Sequence, residues 1–161
     1  MKAQSVRGFT VTEVVITVGI FGMILAFPML FWWGIGRSDS LVGTTREVVG
    51  IINEAQTDTV SGKSPDGAQT SSYGIHFESN YYTYFAGASF SQSASSNVRT
   101  DLPPGVSFSQ IDLPGNNVIF EQVTGEVLGF DASSNTIAIQ DTNTGQTRTV
   151  TISRFGGVKY E

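Results

Sequence analysis

The hydrophobic and polar positions divide the chain into three unlike stretches. From Val14 to Gly36 no side chain is charged, a run of 23 residues. As a helix rising about 1.5 Å per residue it covers roughly 34 Å, enough to cross a bilayer's hydrocarbon core. From Arg37 to Val60 the apolar positions become periodic: Leu41, Val48, Ile52 and Ala55 recur on one side, with Val42 and Val49 beside them. Arg46, Glu47, Glu54 and Asp58 are left for water, which predicts an amphipathic helix resting one side on a sheet. Gly43 and Gly50 each weaken it by about 1 kcal/mol relative to alanine and predict irregularity near them. A single helix from Phe9 to about Thr59 would be on the order of 75 Å long.

Beyond "SGKSPDGAQTSS", residues 61–72, the period changes from helical to strand-like. Tyr73, Ile75 and Phe77 alternate with polar neighbours, as do Tyr81, Thr83 and Phe85, with Ser79 and Asn80 at the turn between them. The Ser-rich residues 86–97 read as an exposed loop. After "LPPG" Val106 and Phe108 share a face; Val118 and Phe120 start a further strand ending near Gly125, and residues 127–130 resume it. Ile137 with Ile139 and Val150 with Ile152 flank a loop holding Asn143 and Gly145, the pattern of a hairpin. Val158 and Tyr160 would close the sheet. The alternation predicts an α+β fold, a long N-terminal helix packed on an antiparallel sheet with one face on the helix and one face wet.

Composition narrows the function. The 161 residues, 40% hydrophobic, leave material for one modest domain after the apolar segment. A formal net charge of -5 and a pI near 4.7 disfavour a nucleic-acid partner. With no cysteine there is no disulfide, thiolate metal site or cysteine nucleophile. The 18 glycines suit a turn-rich β architecture.

Lys2 and Arg7 precede the apolar run without a compensating acid, so the positive-inside tendency places the N-terminus in the cytoplasm and the bulk of the chain outside. Phe31, Trp32 and Trp33 would then lie at the far headgroup layer. A secretory signal peptide also starts with basic residues, but its apolar core spans about 7–15 residues, and two tryptophans beside a cleavage point do not suit it. A plain anchor helix fits the run and leaves Glu13 unexplained. A carboxylate costs on the order of 2.5–3.5 kcal/mol at the centre of a membrane helix and less near an end. Two readings of Glu13 fit: an acid that favours the helix dipole and reaches the interface, or one paired with a cation from another copy of the chain.

Gly8, Phe9, Thr10 and Glu13, followed by the long apolar helix, resemble the N-terminus of type IV pilins and type II secretion pseudopilins. The signature covers about thirty residues. The resemblance implies cleavage by a prepilin peptidase between Gly8 and Phe9, N-methylation of Phe9, and a leader whose basic residues are Lys2 and Arg7. It implies that Glu13 pairs with the terminal amine of a neighbouring subunit and that Pro28, where a helical hydrogen bond is lost, coincides with bending during filament packing. Gly19 and Gly22 could let helices approach closely. The implied division is a cleaved leader (1–8), a transmembrane and filament-core helix (9–36), its amphipathic continuation (37–60) and an extracytoplasmic β-rich domain (61–161).

"LPPGVSF", "VIFEQVTG" and "TVTISRFGGVKYE" resemble, more weakly, minor pseudopilins of the H type and related minor pilins. The absence of a cysteine pair near the C-terminus departs from many major pilins and leans toward a minor subunit. The implied partners are other pilin or pseudopilin subunits, the peptidase and methyltransferase, the inner-membrane assembly platform and membrane lipid. The implied place is the cytoplasmic membrane, with the C-terminal domain periplasmic or extracellular. The rival is a membrane-anchored extracytoplasmic binding or adhesion module that does not polymerise and uses loops such as 86–97.

No catalytic residue, metal site or cofactor is expected. His76, the single histidine, faces opposite to Ile75 and Phe77 and reads as a wet surface residue. No G-x-S-x-G elbow or phosphate loop occurs. Asp131, Asn135, Asp141 and Asn143 match no calcium-loop spacing, and turn formation accounts for them equally well. Tyr81, Tyr82, Tyr84 and Phe85 form the densest aromatic cluster, suited to a ligand platform or to cross-strand packing.

Overall fold

The periodic apolar positions after residue 40 become the buried side of helix α1 (Val11–Val60): Leu41, Val48, Ile52 and Ala55 are all at most 3% exposed. The computed structural model of the chain describes residues 10–64 and 71–161, the side chains at 26–39 excepted. Two units separate, 1–38 and 39–161, so the C-terminal part of α1 belongs to the same compact unit as the strands. A domain starting at 61 was the expectation; the unit takes in residues 39–60 because their apolar side is the wall on which both sheets close.

α1 runs through Gly43 and Gly50 without the expected irregularity, and a Cβ at either would meet nothing within 4 Å. Thr44, Thr45 and Thr59 are buried as well, which the apolar pattern did not reveal. Two of them bond back to the helix: Thr45 Oγ1 donates to Leu41 O at 2.7 Å and Thr59 Oγ1 to Ala55 O at 2.8 Å. Thr59 Oγ1 also accepts from Tyr73 N at 2.9 Å, joining the helix to the first strand. The helix ends in a Schellman arrangement, with Gly62 at φ 68°, Gly62 N donating to Thr59 O and Lys63 N to Asp58 O.

Among the described residues eight strands follow: β1 (Tyr73–Glu78), β2 (Tyr81–Ala86), β3 (Val98–Asp101), β4 (Val106–Asp112), β5 (Asn117–Ile119), β6 (Thr136–Asp141), β7 (Thr147–Ile152) and β8 (Val158–Tyr160). They form two four-stranded antiparallel sheets, β3-β2-β1-β5 and β4-β6-β7-β8, where one sheet was expected. The protein is an α+β fold with its N-terminal helix packed against antiparallel sheets. The β1–β2, β6–β7 and β8 readings agree with the strands found. β3 was missed, because "VRTD" has no alternation and three of its four residues are exposed. The strand expected from Val118 to Gly125 is short, and Val127 contributes only an isolated bridge to Phe120.

One core joins the three layers. Ile75, Phe77 and Tyr82 from the first sheet meet Phe108, Ile137, Ile139, Val150 and Ile152 from the second against Val48 and Ile52 of the helix. Phe77 and Phe108 pack edge to face with centroids 5.4 Å apart. Each such side chain contributes about 1.5–3 kcal/mol when fully buried. Gln56 adds a polar fastening: its Nε2 donates to Gly125 O at 2.9 Å and to Phe155 O at 2.8 Å. The amide comes so close that a Cβ on Gly156, itself at φ 78°, would sit 2.3 Å from Nε2.

Glu47 and Asp58, expected to face water, accept the hydroxyls of two inward-facing tyrosines. Tyr82 Oη donates to Glu47 Oε1 and Tyr84 Oη to Asp58 Oδ2, each at 2.7 Å. The rings need cover and the hydroxyls need partners, so a carboxylate at the helix margin serves both. Burial, reinforced by the bonded carboxylate, pushes both phenols well above the usual value of 10.0. A raised pKa favours the neutral phenol in the folded chain, so this contribution is complete below pH 10 and is lost as pH rises toward the folded pKa. We expect stability to fall progressively above pH 10, with a shallower fall in the Tyr82→Phe, Tyr84→Phe double variant. Thermal unfolding followed by circular dichroism from pH 8 to 12 measures the two slopes.

Candidate functional site

Two regions stand out from the fold, the N-terminal part of α1 and the outer face of the first sheet. Thr10 precedes the first helical turn, and its Oγ1 accepts from Glu13 N at 3.3 Å while its carbonyl accepts from Glu13 N and Val14 N. Thr10 and Glu13 thus hold the positions of a capping box, with the acid in the first turn where the helix dipole favours it. Thr17 Oγ1 donates to Glu13 O at 2.6 Å, returning a threonine to the backbone.

Apart from Thr17, the described side chains after Glu13, as far as Leu25, are apolar on every side of the helix, not along one stripe. Exposure of the large apolar ones runs from 51% at Val14 to 76% at Met23 and includes Val15, Ile16, Val18, Ile20, Phe21, Ile24 and Leu25. A helix apolar all round is covered, in its working surroundings, by lipid or by other helices. Among the described residues no helix is long and apolar enough to cross a membrane. The side chains at 26–39, which carry the rest of the expected span together with Pro28, Phe31, Trp32 and Trp33, lie outside the described set. Lys2, Arg7, Gly8 and Phe9 lie outside it too, so of the residues named for processing and assembly only Glu13 has a described environment.

The outer face of the first sheet was expected to be wet. Its register brings His76 opposite Thr83, Thr83 opposite Arg99, Glu78 opposite Tyr81, and His76 opposite Asn117. The segment 86–97, expected as an exposed loop, begins on the last residue of β2 and folds part of itself onto this face. Phe90 stacks on His76 with centroids 4.0 Å apart and planes 10° from parallel, and meets the edge of Phe85 at 5.3 Å. Phe85 is therefore 1% exposed although it points away from the main core. Gly74 makes room for it, since a Cβ there would lie 2.7 Å from Phe85 Cζ.

His76 is consequently not a wet residue: its side chain is 13% exposed. Nδ1 lies 2.8 Å from Asn117 Oδ1, and Nε2 lies 3.2 Å from Glu78 Oε1. Asn117 Nδ2 donates to Gly115 O, so the amide turns its oxygen toward the ring. On the other side of Thr83 the Arg99 guanidinium lies 3.6 Å above the Tyr81 ring and holds Asp101 Oδ1 through Nε at 2.9 Å and Nη2 at 2.6 Å. The two stacked pairs wall an open cleft of about 380 Å³, with Gln92 and Asn97 contributed by the folded-back loop.

Chemistry is sparse elsewhere. Asp131 Oδ1 accepts from Ser133 N and Oγ, and Asp141 Oδ1 from Asn143 N and Thr144 N, so both close their own turns. These bonds hold both carboxyls below the usual aspartate value of 3.8. Among the described residues no three acidic or histidine side chains converge as a metal shell would require.

Of the aromatic cluster read from the sequence, Tyr82 and Tyr84 face the helix and Phe85 is covered, leaving Tyr81 at the cleft. The cleft itself was not foreseen. Its sequence signal is a phenylalanine isolated in a serine-rich loop, which has only the sheet to bury itself against. No known protein family, curated protein or solved structure matches the chain.

Phe90 is the residue on which the folded-back loop depends. We expect Phe90→Ala to destabilise the full chain by about 2 kcal/mol, less than a fully buried phenylalanine would because Phe90 is half-buried. It should also increase protease cutting within 87–97, read by mass spectrometry of limited digests.

Proposed function

We propose that the chain is a prepilin-like filament subunit. It enters the cytoplasmic membrane through the apolar run 14–36, is trimmed after Gly8, and assembles through its N-terminal helix into a type IV pilus or a type II secretion pseudopilus. A minor or tip-proximal position suits the cysteine-free C-terminal region. The observation that carries the reading is a single carboxylate, Glu13, in the first turn of a helix whose following side chains are apolar and exposed on all faces.

Packed among sister helices, such a surface loses its contact with water, and the acid then needs a cation. The amine created at Phe9 by cleavage supplies one without adding a basic residue to the apolar segment. The pair sets the stagger between neighbours more than it adds net stability, because desolvation offsets much of the Coulomb gain. Pro28 provides a point at which the helix can bend as it packs. The unit 39–161 would be carried outside the membrane, displayed on the filament surface.

Glu13→Ala should leave the protein in the membrane fraction while reducing its incorporation into filaments at least about ten-fold, the scale of losing a compensated charge pair. Immunoblots of sheared filaments against membranes measure this, and normal incorporation would rule out the pairing. Separately, the intact mass of filament-derived protein should lack residues 1–8 and carry one added methyl group. Retention of residues 1–8 in assembled filaments would overturn the proposal as a whole.

A further inference from the structure

We propose that the cleft between the His76–Phe90 and Tyr81–Arg99 stacks is a binding site for a neutral, polyhydroxylated ligand, a saccharide. The inference is independent of filament assembly, since it concerns only the unit 39–161.

The charge on the walls selects against ions. Glu78 is 44% exposed on one side and Arg99 58% exposed on the other, and Arg99 already holds Asp101. An anion approaching Arg99 meets Asp101 already bonded to it and faces Glu78; a cation approaching Glu78 faces the guanidinium. An apolar ligand would strip water from polar groups without replacing it, at about 1–3 kcal/mol for each group left unsatisfied. A ligand bearing several hydroxyls avoids all three penalties, because every hydroxyl both donates and accepts.

The groups on offer match that requirement. No described residue hydrogen-bonds to the Tyr81 hydroxyl or to the Gln92 side-chain amide, each able to give and take. Glu78 retains its second oxygen as an acceptor and Arg99 its remaining terminal nitrogen as a donor.

Asn97 adds a further sign. Its Nδ2 donates to Ser91 O at 2.8 Å, which fixes the amide, and its Oδ1 is the unpartnered buried polar side-chain atom found among the described residues. Such an atom marks a polar position on the loop side of the cleft that the fold itself leaves unfilled.

The site is also prepared in shape. Its planar walls are held by stacking and by fixed hydrogen bonds, so little side-chain freedom is lost on binding. A volume of about 380 Å³ falls at the lower end of the range for small-ligand sites, roughly 300–1,000 Å³. The open mouth suits the end or the edge of a longer glycan.

The test uses the full chain in micelles of a phosphocholine detergent, whose headgroup carries no sugar. Isothermal titration and saturation-transfer NMR are run against glucose, galactose, mannose, N-acetylglucosamine and N-acetylgalactosamine, with inorganic phosphate and ethylammonium as ionic probes. We expect saturable binding of at least one sugar. Tyr81→Phe, which keeps the ring under Arg99, and Gln92→Ala, on an exposed loop position, should each weaken it about ten-fold. Arg148→Ala, on the second sheet, should leave it unchanged. No saturable binding by any sugar, binding indifferent to both cleft variants, or displacement of the sugar by phosphate or ethylammonium at equal concentration would each overturn the proposal.

Discussion

The fold rests on the buried side of α1 between Leu41 and Thr59. Neither four-stranded sheet could hide its inner face alone, and this helical stripe gives both a common wall. Val48, Ile52 and Ala55, each fully buried, touch a core drawn from both sheets, so the helix organises the strands and does not simply rest on one of them. The polar details serve the same wall. Tyr82 and Tyr84 send their hydroxyls to its margins, while Thr59 ties it to β1 and Gln56 to two distant turns.

Much of this was legible in the residues, for a physical reason. A stripe at helical spacing and alternation at strand spacing are local consequences of burial, and they located α1, the β1–β2 hairpin and the β6–β7 hairpin correctly. Asn143 and Gly145 marked the second hairpin turn because its backbone needs a positive φ, found at Gly145 with 73°. What stayed hidden depends on contacts between parts distant in the chain. β3 has no pattern because it is an exposed edge held by β2, and the split into two sheets follows from pairing that periodicity does not encode. Glu47 and Asp58 read as solvent-facing because nothing local announces a tyrosine hydroxyl arriving from another element.

The outer face of the first sheet shows the same limit more sharply. Alternation placed His76 correctly on the side opposite Ile75 and Phe77, yet its surroundings come from Phe90 and Asn117, which lie 14 and 41 positions further along the chain. A small second core, Phe85 beneath Phe90, fastens the serine-rich segment, so the proposed cleft has firm walls although one of them is loop. The proposed assembly function draws on the other end of the molecule. There Thr10 caps the first turn through the backbone N–H of Glu13, so the cap does not draw on the carboxylate that the proposed pairing uses.

Gln56 has a consequence for how the unit would respond to tension. One side-chain amide grips the carbonyls of Gly125 and Phe155, thirty positions apart, and Gly156 lets it approach without obstruction. A pull transmitted along the helix would reach both turns at once through this amide and share the strain between them. Rupture would require two bonds to fail together, and the strands behind them would be shielded until that fastening gave way.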